Sequence, residues 1–498
     1  MNSVLPVCHS EFSLLYGTAS PQALVETAAG FGYDSIVLAD RNNLYGCRDF
    51  YPAAREHGLK PIVGVRLQTA LGELILICEN YNGYKNLSRL ITSYQLHAIP
   101  SVETLRQYHE NIICLVDLRG RSEDLRDIFG DNLYAAIDHR YPTRSDRLAR
   151  RFGIKPAACP SVSFLAAADF VRHRLLRAIE RGVLVDNLPA TEGAAEEEFL
   201  QPPEVSARLL TAFPAACHGA REIAERCTLT FPERKNILPD VHVDGDHCER
   251  LRHGSLDGLY ARIYSPSGRY LARLEYELSV IKRTGFVDYF LIVGEIIDYC
   301  RRHGIAAVGR GSAAGSLVSY SLGITPVDPV AEDLHFERFL NEARNDCPDI
   351  DLDVDWRRRD EILNFIYNRH GHERVAMIAS YVRFQPRLAV RETARAMGRA
   401  RGEIEDILSR LPAHPLERSD FPAGMSGDGK TDQRRLSLLI RMARSIHGLP
   451  RHIGIHAGGI VIAPEILTDY VPLQRAAKGI VVTQCDMYQA ERIGLVKI

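Results

Sequence analysis

At 498 residues the chain is too long for one hydrophobic core, so two to four domains are expected. Its apolar share of 46% and charged share of 25% are those of a globular protein, and a net charge of −2 excludes a globally basic nucleic-acid binder. No apolar run is long enough to span a bilayer, no basic leader precedes an apolar run, and the eleven cysteines are scattered without a C-x-x-C pair, which predicts a cytoplasmic protein with reduced thiols and no membrane partner.

In chain order, the first 180 or so residues alternate short apolar strands with helical patterns. The strands are 35–39, ending at Asp40, then 60–65, 74–78, 112–116 and 133–137. Helical patterns at 21–31 and 51–57 lie between them. Such alternation predicts an α/β layer or barrel.

Two short stretches in this region resemble the signatures of the PHP domain, a metal-dependent phosphoesterase fold. Val7-Cys8-His9-Ser10 stands where that family has His-x-His-Ser, and Ala39-Asp40-Arg41 where it has Thr-Asp-His. The ligand positions that the resemblance marks are mostly replaced. They hold Val7, Tyr16, Arg41, Arg66, Pro160 and Ser163, and only His9 and Asp40 survive. Two scattered ligands cannot build a multi-metal site. The expectation is a vestigial PHP scaffold without phosphoesterase activity.

From 181 to about 265 the pattern is mixed. Residues 184–198 read as an acidic loop, 203–213 and 217–227 as helices, and 228–246 as a proline-containing connection. Helices follow at 270–282 and 290–302. A strand at 305–308 then runs into Gly309-Arg310-Gly311-Ser312-Ala313-Ala314-Gly315-Ser316 and a helix expected over 313–322. Strand, small-residue loop and helix form a phosphate-binding arrangement, in which glycines admit the anion to backbone N–H groups and the helix N-terminus favours its charge. The spacing is neither Walker A nor the dinucleotide fingerprint. By itself such a loop is equally a tight turn packed with small residues.

The next stretch is Cys347-Pro348-Asp349-Ile350-Asp351-Leu352-Asp353-Val354-Asp355-Trp356. On a strand, alternation places the four aspartates on one face and Ile350, Leu352, Val354 and Trp356 on the other. Alone, the row reads as a hard-metal site or as an acidic edge strand that resists aggregation. A phosphate loop about forty residues before paired aspartates, with Glu337-Arg338-Phe339-Leu340-Asn341 between them, is the layout of a nucleotidyltransferase palm.

These three motifs resemble those of the C-family DNA polymerases, the alpha subunits of bacterial DNA polymerase III. The resemblance implies a multidomain α/β chain: a PHP-type (β/α) barrel-like domain, a polymerase-beta-like palm and a helical thumb. The implied divisions are 1–220, a palm in two parts at 221–380 and 456–498, and a thumb at 381–455. Asp349 and Asp351 become paired Mg²⁺ ligands, with Asp353 and Asp355 secondary. Arg310, Gly311 and Ser312 become contacts to the triphosphate. In the family the last strand carries a catalytic lysine, matched by Lys497, and a third metal aspartate two residues later, one residue beyond Ile498. The expected cofactor is therefore Mg²⁺ in a two-metal site whose third ligand is missing from this chain.

Arg357-Arg358-Arg359 follows the acidic row. Arginines also cluster in two groups, 383–401 and 434–444, around a Gly/Pro/Ser-rich loop at 412–431. Each alone is an ordinary surface residue. Together, Arg387, Arg391, Arg434 and Arg435 are candidates for a duplex backbone. His452 and His456 read as packing or turn residues, not ligands. The implied partners are primer–template DNA, deoxynucleoside triphosphates, and other replisome subunits or a missing C-terminal polymerase part. The implied activity is template-directed DNA synthesis. The competing readings are a non-catalytic DNA- or replisome-binding relative and, less favoured, a PHP phosphoesterase or 3′–5′ exonuclease.

Overall fold

The structure, a computed structural model, describes residues 4–116, 122–138, 142–232, 236–241, 245–341, 348–411 and 430–498. Cys347 and nearly all of the 412–431 loop lie outside the described residues. The chain forms two compact units. One comprises 1–231, 380–454 and 472–478, and the other 232–379, 455–471 and 479–498.

The first unit is built on an eight-stranded sheet. Its strands are β1 (Val7–Cys8), β2 (Ser35–Arg41), β3 (Lys60–Thr69), β4 (Gly72–Cys78), β5 (Ile112–Val116), β6 (Leu133–Ile137), β7 (Lys155–Ala158) and β8 (Ser161–Val162). They lie in the order β7-β6-β5-β4-β3-β2-β1-β8. Only the β3–β4 and β4–β5 pairs are antiparallel. The apolar runs read in the sequence form these strands because both sheet faces are covered. β5 is buried throughout, and so is β2 from Ser35 to Asp40. Helices such as Pro21–Gly30, capped by Ser20, and Pro214–Arg226 supply the covering layer. A separate apolar cluster joins the helix Phe170–Arg181, through Leu175, Leu176 and Ala178, to Pro386–Ala396, Arg401–Arg410 and Lys430–Ile446.

The second unit has three long helices, His247–Arg262, Gly268–Thr284 and Val287–Arg302. They support a two-stranded antiparallel ribbon of β9 (Ala307–Arg310) and β10 (Asp351–Val354). The helix Arg359–His370 follows, and β11 (Val375–Arg383) and β12 (Pro450–Ile462) carry the chain between the units. Ten residues of Val287–Arg302 are buried, so this helix is apolar nearly all round. Tyr299 on it stacks on Phe365, with ring centroids 4.1 Å apart.

Three local expectations are corrected. The strand expected at 305–308 is displaced to Ala307–Arg310, so Arg310 belongs to the ribbon and not to the loop. The helix expected over 313–322 is a 3₁₀ turn, Gly311–Gly315, followed by only five α-helical residues, Leu317–Ser321. Trp356 does not join the apolar face of the acidic strand and is 78% exposed. The strand ends at Val354, and Asp355 Oδ1 accepts the Arg357 N–H at 3.0 Å, a turn that breaks the alternation before Trp356. Ten cysteines are described, none of them in a disulfide among the described residues, and all but Cys248 are buried. Among the described residues no helix is long and apolar enough to cross a membrane.

Candidate active site

The ribbon sets the geometry. Its register places Asp351 opposite Arg310, Leu352 opposite Gly309 and Asp353 opposite Val308. Gly309 is required here because a Cβ would stand 2.8 Å from the Ile324 carbonyl oxygen, to which Gly309 N–H donates. Gly311 turns the chain at φ +74°, a conformation that side chains resist. Ile350, next to Asp349, is 1% exposed, and its N–H donates to the Tyr289 hydroxyl at 3.1 Å.

Asp349, Asp351 and Asp353 all face solvent, as the alternation predicts. A row of like charges is unfavourable unless cations stand beside it, and the chain itself provides them. Lys497 Nζ lies 3.3 Å from Asp349 Oδ1 and 4.0 Å from Asp351 Oδ1. Arg310 Nε lies 3.1 Å from Asp353 Oδ2, its diagonal neighbour across the ribbon. Lys497 is positioned by pairing with β12: Val461 bridges Lys497, and Ile460 and Ile498 exchange N–H···O bonds of 3.1 and 2.9 Å. Asp355 stands apart from the row as a turn acceptor.

Two carboxylates converging on one cation form a donor set that fits a hard divalent ion. Mg²⁺ commonly takes one or two carboxylates from a protein and its other oxygens from phosphates and water. Among the described residues no group of three or more His, Cys, Asp or Glu side chains is placed to hold a metal. The pair Asp349 and Asp351 is therefore the set on which a metal reading rests.

Beneath the glycine loop lies a feature that motif reading missed. Glu277, buried to 0% exposure, accepts from Ser316 Oγ at 2.9 Å and from Val318 N–H at 3.1 Å. It thereby occupies the N-terminus of the short helix, the place where an incoming anion was expected. The positive end of that helix is already used. Arg273 Nε binds the other Glu277 oxygen at 2.6 Å, and Arg273 Nη2 donates to the Gly315 and Leu334 carbonyls, both at 3.1 Å. Burial raises the Glu277 carboxyl above its ordinary range, opposed by its bonds to the Leu317 and Val318 backbone and to Arg273. What remains open to an anion is Arg310 at the end of the ribbon strand and, on the loop, the Gly311 backbone and Ser312. The only sequence signal for Glu277 was an i,i+4 Arg–Glu pair on a helix, which is ordinarily a surface feature.

His9 and Asp40, the two positions retained from the PHP resemblance, are in the first unit. Asp40 is 2% exposed. Its Oδ1 accepts from Ser10 N–H at 2.7 Å, Ser10 Oγ at 2.9 Å and Ser13 Oγ at 2.8 Å. His9 Nδ1 donates to the Ala39 carbonyl at 2.6 Å, which leaves Nε2 buried without a partner among the described residues. Burial, with Arg66 and Arg41 nearby, lowers the His9 pKa and keeps the ring neutral. Arg41 lies over the Tyr16 ring, 4.4 Å from its centroid, and also pairs with Glu73 at 3.1 Å. Arg66 donates to Ser161 Oγ at 2.8 Å. Cations and an aromatic ring stand at positions that the resemblance assigned to metal ligands.

Burial raises the Asp40 pKa from 3.8 to about 6, with the Ser10 and Ser13 bonds opposing. A carboxyl whose folded pKa is raised contributes most below its unfolded pKa and loses that contribution as pH rises through the folded value. The Asp40→Asn variant is expected to gain stability relative to the parent between pH ~4 and ~6, the window set by that shift. Urea midpoints of the two proteins across that range check it. A constant difference would contradict it.

The candidate duplex-binding arginines lie on two helices of the first unit. Arg387 and Arg391 are on Pro386–Ala396, and Arg434 and Arg435 on Lys430–Ile446. Arg391 reaches Glu405 at 4.0 Å, Arg395 pairs with Glu392, Arg399 with Glu403 and Arg383 with Glu11. Much of the local positive charge counted in the sequence is thus balanced by acids. Arg434 and Arg435 are exposed and have no carboxylate in reach among the described residues. His456 Nδ1 accepts from Gly459 N–H at 2.7 Å, a turn role.

Two family models match the chain, and the longer match draws on residues of both compact units. Residues 249–498 match the family model described as bacterial DNA polymerase III alpha NTPase domain, and residues 7–153 match the PHP domain. The chain is 33% identical to DNA polymerase III subunit alpha of Bacillus subtilis, covering 98% of this chain and 47% of that protein. It is 32% identical to the error-prone DNA polymerase of Symbiobacterium thermophilum, covering 98% and 50%, and 30% identical to DNA polymerase III subunit alpha of Aquifex aeolicus, with the same coverage. The chain spans about half the length of the curated relatives it matches. With a matched α/β PHP domain followed by a second α/β unit that carries the glycine loop and the aspartate pair, the chain belongs to the bacterial DNA polymerase III alpha family.

Proposed function

We propose that this chain carries the nucleotide- and metal-binding half of a DNA-directed DNA polymerase site. The reaction is attack of a primer 3′-hydroxyl on the α-phosphate of a deoxynucleoside triphosphate, with pyrophosphate leaving. The observation that carries the reading is the convergence of Asp349 and Asp351 on one cation, beside a ribbon whose facing strand ends in Arg310. Asp349 and Asp351 would hold Mg²⁺, which when bound supplies Lewis acidity to the hydroxyl and charge compensation to the phosphates. Arg310 offers a planar charged fork to the triphosphate, Gly311 its N–H and Ser312 its hydroxyl. Lys497 adds positive charge close to the carboxylates. Their shared role is positioning and charge compensation, not proton chemistry.

Arg387, Arg391, Arg434 and Arg435 would hold the duplex backbone. In the PHP domain His9 and Asp40 are scaffold residues. The buried serine bonds of Asp40, and the arginines beside His9, support that assignment over a phosphoesterase. A second reading, a non-catalytic DNA-binding or replisome-binding member of the family, is supported by Glu277, whose carboxylate already occupies the helix N-terminus behind the glycine loop. Primer extension with Mg²⁺ separates the two. Templated extension by this chain contradicts the non-catalytic reading. Loss of extension even in a chain of its relatives' length contradicts the polymerase reading.

The Arg310→Ala variant, tested at that length, is expected to raise the KM for nucleotide about tenfold and leave the primer requirement within about twofold, the scale of one charge-assisted contact. Steady-state titration of each substrate checks this. An unchanged nucleotide KM removes Arg310 from the triphosphate.

A further inference from the structure

The acidic row and the cations beside it carry one more inference, which rests on the metal reading above. Asp349 and Asp351 present three oxygens toward Lys497 Nζ: the two of Asp349 at 3.3 and 3.4 Å and Asp351 Oδ1 at 4.0 Å. Among the described residues no other lysine or arginine lies within ion-pair distance of these two carboxylates. The ammonium occupies the point on which both carboxylates converge, and a divalent ion bound by the same pair needs that point. The side chains are half-open to solvent, with Lys497 30% exposed, Asp349 55% and Asp351 49%. An exposed pair of this kind is weak enough to exchange. The backbone of Lys497 is fixed by the pairing of Val461 and Ile460 with the final strand, so only the flexible side-chain stem has to move. We propose that Lys497 is the resting counter-cation of the Asp349–Asp351 pair and that a divalent ion binds by displacing its ammonium.

Arg310 on Asp353 adds a second cation to the row, so in the absence of metal each of the three carboxylates lies against a cation of the chain while one negative charge stays uncompensated. Lys497 is thus a competitor for the metal site as well as a source of charge near the phosphates.

The test is Mn²⁺ binding to the 498-residue chain without nucleotide, read from the free-ion electron paramagnetic resonance signal at low ionic strength. Lys497→Ala and the near-isosteric Lys497→Gln are each expected to bind Mn²⁺ about threefold to tenfold more tightly than the parent, the scale of an exposed pair shared by two carboxylates. Asp351→Asn should lose the site. In the parent, amine-directed acylation followed by mass spectrometry should show Lys497 becoming more reactive when Mn²⁺ is added. Equal or weaker binding in both lysine variants, at a site that still needs Asp351, overturns the displacement and leaves the metal reading intact. Parent binding that does not depend on Asp349 and Asp351, or no binding at all, overturns both. A variant that fails to fold, seen by circular dichroism, leaves the decision to the other variant and to the acylation of the parent, where unchanged Lys497 reactivity at saturating Mn²⁺ overturns the proposal.

Discussion

An Asp351→Ala variant, made in a chain of the length its relatives have, is expected to lose nucleotide incorporation by about 10³-fold while binding primer–template duplex as the parent does. The asymmetry follows from placement. Asp351 is half-exposed on the solvent face of the ribbon and supports no packing, so its removal leaves the fold intact. It removes one of the two carboxylates that converge on Lys497, and the charge compensation at stake is several kcal/mol, or about three powers of ten in rate. Asp353→Ala makes the internal control. Its carboxylate faces Arg310, not Lys497, so the expected change in rate is less than about threefold, the scale of an exposed ion pair. Single-turnover incorporation and duplex binding, measured on the same preparations, check both. Equal loss of duplex binding in Asp351→Ala would make the residue structural.

Arg273→Ala is expected to destabilise the second unit by about 3–5 kcal/mol, the cost of leaving a buried charge without its partner. Glu277 is fully buried, and its charge is held by Arg273, Ser316 and the Val318 amide. Removing the guanidinium also frees the Gly315 and Leu334 carbonyls. The loss should be smaller at acid pH, because Glu277 already has a raised pKa and its protonated form does not need the cation. Glu277→Gln keeps an acceptor for Ser316 and Val318 and is expected to cost less, about 1–3 kcal/mol. Amide hydrogen exchange across 311–322 reads the effect locally. Faster exchange there in Arg273→Ala, with the helix Pro21–Gly30 of the other unit unchanged, is the predicted pattern.

How much of this was legible in the sequence depends on the range of the interaction. The sheet of the first unit was readable because β2, β5 and β6 are short, apolar and buried, so composition alone marks them. The aspartate row was readable because a period of two maps directly onto a ribbon face. The same rule failed at Trp356, where Asp355 ends the strand through its own side chain, a choice that alternation does not encode. The loop was recognised, but its helix was overextended. Small residues at 313–315 fit a helix as well as a 3₁₀ turn, and the deciding group, Glu277, is 39 residues from Ser316. Lys497 carries no local signal at all. It entered through family resemblance, and its proximity to Asp349 spans 148 residues. The PHP domain shows the reverse case. Missing ligands were plain in the sequence, but the buried serine cage around Asp40, and the arginine over Tyr16, required the fold.

The divalent-metal site proposed at Asp349 and Asp351 faces a triphosphate held by Arg310 and the Gly311–Ser312 turn. A crystal structure of this chain with Mn²⁺ and a deoxynucleoside triphosphate tests it most directly, through the anomalous signal of the metal. The expected result is a peak between the Asp349 and Asp351 carboxylates, with Lys497 Nζ withdrawn from its 3.3 Å contact and the phosphates on Arg310. A peak elsewhere, or a nucleotide bound away from this ribbon while Lys497 stays on Asp349, would contradict it.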